Sequence, residues 1–178
     1  MGSHGVIVAV YWDARQAQLD EAKELLLSAF EGLAKSGYDS WRLKGQTRKQ
    51  AGGNSFVPTS ESVTTLLARG VNRRDIGRDL IPELGYSFGL WSGGPDESAY
   101  AFSGKIGNAT NIGKNCLLLE LPRVGPLSYE SNKINSLLLF KKLILLSSAN
   151  QGIVCKSTEI AWENGRLSPS IVSQAKYG

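Results

Sequence analysis

Side chains that could carry chemistry are few in this chain of 178 residues, and their spacing matches no catalytic pattern. The single histidine is His4, within Met1-Gly2-Ser3-His4, a stretch that reads as an expression remnant. A serine or cysteine nucleophile therefore lacks an imidazole base, and a histidine zinc site cannot be assembled. Cys116 and Cys155 each sit in an apolar, strand-like run with no second cysteine or histidine at ligand spacing. They read as buried thiols, which behave as small hydrophobes. Gly52-Gly53 and Gly93-Gly94 lack the Lys-Ser/Thr of a phosphate loop and open no helix after a strand. The expectation is no catalytic residue, no cofactor and no metal.

Carboxylates and arginines remain. Asp96 and Glu97 fall at a hairpin tip, while Asp75, Asp79 and Glu83 precede that hairpin. A solvated tip offers neither burial nor a close like charge to tune a carboxyl group for proton transfer, so Asp96 and Glu97 read as turn residues. Arg73 and Arg74 beside Asp75 suggest an ion-pair knot rather than a phosphate clamp, since the acids partly neutralise the bases. The run Arg42, Lys44, Arg48, Lys49 beside Trp41 reads as a solvated basic face with Trp41 as a packed anchor. Trp91, at a strand end, suits either a core position or an exposed interface anchor.

These groups must be positioned by a sheet and its covering helices. Tyr86, Phe88 and Leu90 alternate with Ser87, Gly89 and Trp91, the period of a two-faced strand. Ser92 to Glu97 breaks it, Ser98 to Gly104 resumes it, and Asn115 to Leu121 adds a third strand ended by Pro122. Gly5 to Trp12 reads as a first strand covered on both faces, and Gly152 to Ala161 as a last one. Leu19, Ala22, Leu26, Ala29 and Leu33 mark a long helix from Gln16 to Lys35, with Asp13 at a capping place before it. Ser60 to Arg69 suits a short helix capped by Thr59 or Ser60 and stopped at Gly70, and Tyr38 to Val57 a loop with another short helix. In Ser128 to Ala149 a stripe of Ile134, Leu138 and Leu145, widened by Leu137, Phe140 and Ile144, implies deep burial. The fold class is α+β: a mostly antiparallel sheet of about five strands, two long helices and two shorter ones, in one domain over 5–178.

Composition agrees with a soluble globular chain: 42% hydrophobic and 20% charged residues. The apolar run Leu137 to Leu146 is interrupted by Lys141 and Lys142 and is too short to span a bilayer. With no export signal read near the start, a cytoplasmic, membrane-free protein is expected. The net charge of +4 is too small a bias to announce nucleic-acid binding.

Several stretches look familiar in their order. Tyr11-Trp12, Trp41 with Lys44-Gly45 and Arg48-Lys49-Gln50-Ala51, and Gly70-Val71-Asn72-Arg73-Arg74-Asp75 resemble segments of the immunity protein 52 family. So do Leu90-Trp91-Ser92-Gly93 and Asn115 through Leu119-Glu120-Leu121-Pro122; the resemblance spans roughly residues 5 to 160. It implies an α+β antidote without catalysis, whose partner is a cognate toxin of the restriction-endonuclease-like class, such as a type VI secretion effector nuclease. On that reading Trp91, Asp96, Glu97, Arg73, Arg74, Asp75 and Glu83 are the toxin-binding candidates; no direct contact with nucleic acid is expected, and of the oligomeric states, which the sequence leaves open, a monomer is favoured. The basic balance fits poorly with mimicry of a nucleic acid, which calls for an acidic surface. The alternative is a small basic nucleic-acid-binding module using Arg42 to Lys49 and Arg69 to Arg78. A carboxylate hydrolase using Asp96 or Asp75 ranks last, because it requires a concave pocket beside them.

Overall fold

Alternation of apolar and polar residues forces one face of each strand inward, and the computed structural model follows that rule across a seven-stranded sheet. It describes residues 5–43, 53–72, 79–110 and 114–156, with the backbone alone of 162–163 and 166–167. The strands are β1 (Val6–Trp12), β2 (Trp41–Leu43), β3 (Asn54–Phe56), β4 (Tyr86–Trp91), β5 (Ala101–Ile106), β6 (Asn115–Leu121) and β7 (Gln151–Lys156). Their order is β3-β2-β4-β5-β6-β1-β7, antiparallel throughout. A separate two-stranded ribbon pairs Trp162–Glu163 with Arg166–Leu167. Among the described residues there are three α-helices, α1 (Leu19–Lys35), α2 (Ser60–Arg69) and α3 (Lys133–Ser147), and a 3-10 turn at Pro82–Leu84.

The α+β class with an antiparallel sheet is as expected; the count of about five strands and four helices is not. The two added strands are β2 and β3, where a loop and a short helix were expected between Tyr38 and Val57; residues 44–52 lie outside the described part. Three-residue strands are too short to display a period. Tertiary packing decides them: Trp41 and Phe56 are paired across β2 and β3 and both turn inward.

The core between sheet and helices is aromatic at its centre. Phe102 on β5 is fully buried and lies within 5.2–6.0 Å, ring to ring, of Phe88, Phe30 and Trp41. Trp41 meets the Tyr100 ring at 5.0 Å, edge on, so it is a core residue rather than an anchor on a surface loop. Edge-to-face packing of this kind adds about 0.5–1.5 kcal/mol per pair beyond area burial. Tyr38, also fully buried, keeps its hydroxyl satisfied by donating to the Leu127 carbonyl at 3.0 Å.

Helix α1 buries Ala22, Leu26, Ala29 and Leu33, the expected stripe, with Leu19 partly buried against the core. It starts at Leu19 rather than Gln16, because Glu21 accepts the Gln18 N–H at 3.0 Å and closes a capping box there. Asp13 is not its cap: the carboxylate instead accepts from Asn150 Nδ2 at 2.6 Å and Lys114 Nζ at 3.3 Å. Helix α2 has the expected bounds. Thr59 caps it, and Gly70 ends it where any Cβ would strike the Ser87 carbonyl.

The strand β1 is buried on both faces, as its apolar run implied. Val8, Val10 and Trp12 face the helices, while Ile7, Ala9 and Tyr11 join Leu118 in a second cluster on the far face. That far face is apolar at the β6-β1-β7 end. Toward β2 it turns polar, with Arg42, Ser87, Ser103 and Lys105 in register there.

Candidate interaction surfaces

The hairpin β4–β5 sets the first candidate surface. Its connection is longer than expected, since Ser98 N–H and Ala99 N–H both donate to the Pro95 carbonyl at 3.0 Å and hold a turn. Strand β5 therefore starts at Ala101, not Ser98. Ser92 knots the loop base: its backbone N–H donates to the Tyr100 carbonyl at 2.8 Å and its Oγ accepts the Tyr100 N–H at 2.9 Å. Gly93 has φ 78°, and the Arg42 side chain lies across it where a Cβ would clash. Asp96 and Glu97 are exposed at the tip. The Glu97 carbonyl accepts from Arg123 N–H at 2.8 Å and Val124 N–H at 3.1 Å, tying the tip to the segment after β6.

Trp91 resolves between its two readings as neither extreme. It points to the face away from the helices, opposite to Leu90, and is half-buried beside Ala101 and Arg42 in register. Its indole N–H is buried and has no acceptor among the described residues. The structure thus brings Trp91, Asp96 and Glu97 to one end of the sheet, with Arg42 alongside.

Glu83 is not among them. It sits in the 3-10 turn before β4, so the length of a six-residue strand, about 20 Å, separates it from Trp91. There the Glu83 carbonyl accepts from Ala109 N–H at 2.8 Å. Arg73, Arg74 and Asp75 lie outside the described residues. Asn72, next to them in sequence, accepts the Ile81 N–H on its carbonyl at 2.8 Å, at the Glu83 end of β4. The first residues of the two basic runs border opposite ends of β4, with Arg42 level with Trp91 and Arg69 adjoining Gly70, which bonds Ser87. Lys44 to Lys49 and Arg73 to Arg78 lie outside the described residues.

Sequence periodicity misassigned the faces of α3. The helix runs over Lys133–Ser147, not Ser128–Ala149, and its buried side is Ser136, Leu139, Leu143 and Ser147 with Phe140 and Ile144 partly buried. The expected core stripe is the outward one: Ile134 is 76%, Leu138 61% and Leu145 71% exposed, with Leu137 at 41%. The side chains that hold α3 down explain the choice. Ser136 Oγ lies 3.2 Å from the Tyr38 hydroxyl, and Asn132 Nδ2 donates to the Ser36 carbonyl at 3.0 Å. Ser147 Oγ donates to the Leu143 carbonyl at 2.7 Å, so two serines serve on the inward face where polarity alone would place them outside. A helix apolar on most of its circumference gives its sequence no means to say which side is buried.

At the opposite end of the sheet a buried amide pair fixes three loops. Asn115 and Asn108 have no exposed surface. Asn115 Oδ1 accepts the Asn108 N–H at 2.8 Å, while its Nδ2 donates to the carbonyls of Asp13 at 2.9 Å and Asn108 at 3.1 Å. The far-face cluster holds Tyr11 opposite Cys116, both as neutral groups: burial pushes the Cys116 thiol up to about 11 and raises the Tyr11 hydroxyl far above its usual range. Among the described residues no group of three or more His, Cys, Asp or Glu side chains could hold a metal ion, and no helix is long and apolar enough to cross a membrane.

Comparison with curated proteins returned no match. Among solved structures, the Pseudomonas aeruginosa T6SS protein PA0821 is similar in fold at TM-score 0.51 and 15% identity. The alignment covers 84% of this chain and 39% of that one, so this chain spans well under half of that protein's length. At this identity the likeness is one of fold alone. The family model described as immunity protein 52 matches residues 5–150, which takes in all three helices and every strand of the large sheet but β7. The chain belongs to the immunity protein 52 family.

Proposed function

We propose that this protein binds and neutralises a cognate antibacterial toxin within the cell that makes both. The observation that carries the reading is the family match over residues 5–150. The toxin is a nuclease effector delivered by a type VI secretion system, and neutralisation takes place in the cytoplasm. Similarity of fold to a T6SS protein supports that setting. The protein acts by occupying a surface of the toxin and carries out no reaction itself.

The hairpin end supplies part of the contact. Trp91 with Arg42 alongside is the composition that dominates affinity at many interfaces, and the exposed Asp96 and Glu97 give it an acidic margin. Glu83, at the other end of β4, lies outside that patch.

The test is co-expression with the toxin domain encoded by the adjacent gene, scoring complex formation and cell survival together. A tight complex with survival is the expected result; neither complex nor protection sinks the proposal. Asp96→Lys with Glu97→Lys, two exposed positions that leave the fold intact, should then weaken the complex about tenfold. An unchanged dissociation constant removes the hairpin end from the interface.

A further inference from the structure

We infer that the outward stripe of α3 is the principal apolar docking surface for the toxin, and that it fits an apolar groove bordered by carboxylates. This rests on the antidote reading above. Ile134, Leu138 and Leu145, with Leu137 beside them, follow one another at helical spacing along about 16 Å of ridge. That is the anchor pattern of a helix laid into a groove. Leucine and isoleucine more than half exposed in a row are not solvated by chance; contiguous apolar patches on soluble proteins mark interaction sites. The inner side of the same helix is already committed to the core through Leu139 and Leu143, so the outer stripe contributes nothing to holding α3 on the sheet.

The charges of α3 select the occupant. Lys141 lies between Leu138 and Leu145 on the stripe and is exposed; Lys133 and Lys142 flank it, and no Asp or Glu occurs from 133 to 147. Lys142 turns back over Gly32 of α1, near Glu31, whose carboxyl is held low mainly by Lys35, with Lys142 adding to the effect. Lys133 holds its ammonium 5.8 Å over the Tyr129 ring, and Lys141 is left toward the rim. A second copy of this chain docked through the same stripe would gather the lysines of both copies about one axis, with no carboxylate from either helix between them. Like charges set face to face oppose association. A partner that buries the leucines and meets the lysines with Asp or Glu side chains satisfies both features. Such a groove is not the nucleic-acid cleft of a nuclease, which must itself be basic to hold phosphates. The protein therefore grips the toxin beside its active cleft, and the mild positive charge of the chain ceases to be a conflict.

The chain also links the ridge to the hairpin end. Val124, 45% exposed, has its N–H on the Glu97 carbonyl, and the chain from there leads to Ile134 at the first turn of α3.

The experiment is Leu138→Glu with Leu145→Glu in the full chain, measured against the toxin domain encoded by the adjacent gene. Both positions are exposed, so melting temperature should stay within a few degrees of the parent. Toxin affinity should fall at least a hundredfold and protection should be lost, and Lys141→Glu alone should weaken binding about fivefold. If the parent binds and the double variant binds equally well, the stripe is not the docking surface while the antidote reading stands. If the parent itself neither binds nor protects, the antidote reading fails and this inference fails with it. If the free parent is a dimer that the double variant converts to monomer without loss of toxin binding, the stripe belongs to a second copy and the inference is overturned.

Discussion

Replacing Asn115 with Ala should be among the costliest changes outside the aromatic core, although the residue touches no candidate interface. Three hydrogen bonds are lost at once, to Asn108 N–H, the Asp13 carbonyl and the Asn108 carbonyl. They are not equal. The Asn108 carbonyl keeps the Arg15 N–H at 2.9 Å, and the Asp13 carbonyl belongs to an exposed residue, so each of those losses costs about 0.5–1.5 kcal/mol. The Asn108 N–H is left without its partner in a residue with no exposed surface, at about 1–3 kcal/mol. The central sum is about 3–4 kcal/mol, which for a chain of this size lowers Tm by roughly 10 °C. Urea unfolding followed by tryptophan fluorescence measures it, with Asp96→Ala as a control expected to fall within about 0.5 kcal/mol of the parent. Asn115→Asp should be no better than Ala, since a carboxylate accepts from Asn108 N–H but faces two carbonyls it cannot donate to. A loss under about 0.5 kcal/mol for Asn115→Ala, or a clear rescue by Asp, would refute the claim that this amide pins the three loops.

Phe102→Ala should cost about 3–5 kcal/mol, because the ring is fully buried on the central strand and meets three other rings; calorimetry showing under 1.5 kcal/mol would mean the core collapses around the gap. Stability should fall as pH rises from about 9 to 11: the unfolded Cys116 thiol ionises near 9.0, the folded one near 11, so the unfolded state binds fewer protons in that window. Cys116→Ala should flatten the decline in urea midpoint between pH 8.5 and about 10.5, and an unchanged slope would assign it to other groups. Gly104→Ala should destabilise strongly, since a Cβ there stands 2.8 Å from the Phe88 ring and 2.5 Å from the Cys116 carbonyl; a stability within about 0.5 kcal/mol of the parent, by urea unfolding, counts against that packing.

Much of the framework could be read from the chain alone because its signals are local. The alternation in 86–91 and 115–121, the stripe from Ala22 to Leu33, and Thr59 with Gly70 around α2 each rest on neighbours a few residues apart. The strands β2 and β3 left no such trace, since three residues show no period and the inward turn of Trp41 is set by Phe30, Tyr100 and Phe102 from elsewhere in the chain. Candidate site residues fared similarly. Asp96 and Glu97 were placed at a tip by turn chemistry, whereas the separation of Glu83 from Trp91 follows from the direction of β4.

The sequence by itself determined the class of fold, the position of the hairpin, the family and the absence of any histidine after His4. Those depend on residue type and short-range order. Only the tertiary structure decided which side of α3 meets water. Leucine and isoleucine cover most of that helix, so hydrophobicity could not choose between its faces; hydrogen bonds from Tyr38, Ser36 and Asn132, made across nearly a hundred residues of chain, did. The same contacts that turned Leu139 and Leu143 inward left Leu138 and Leu145 outward, and so placed an apolar ridge where a partner can reach it.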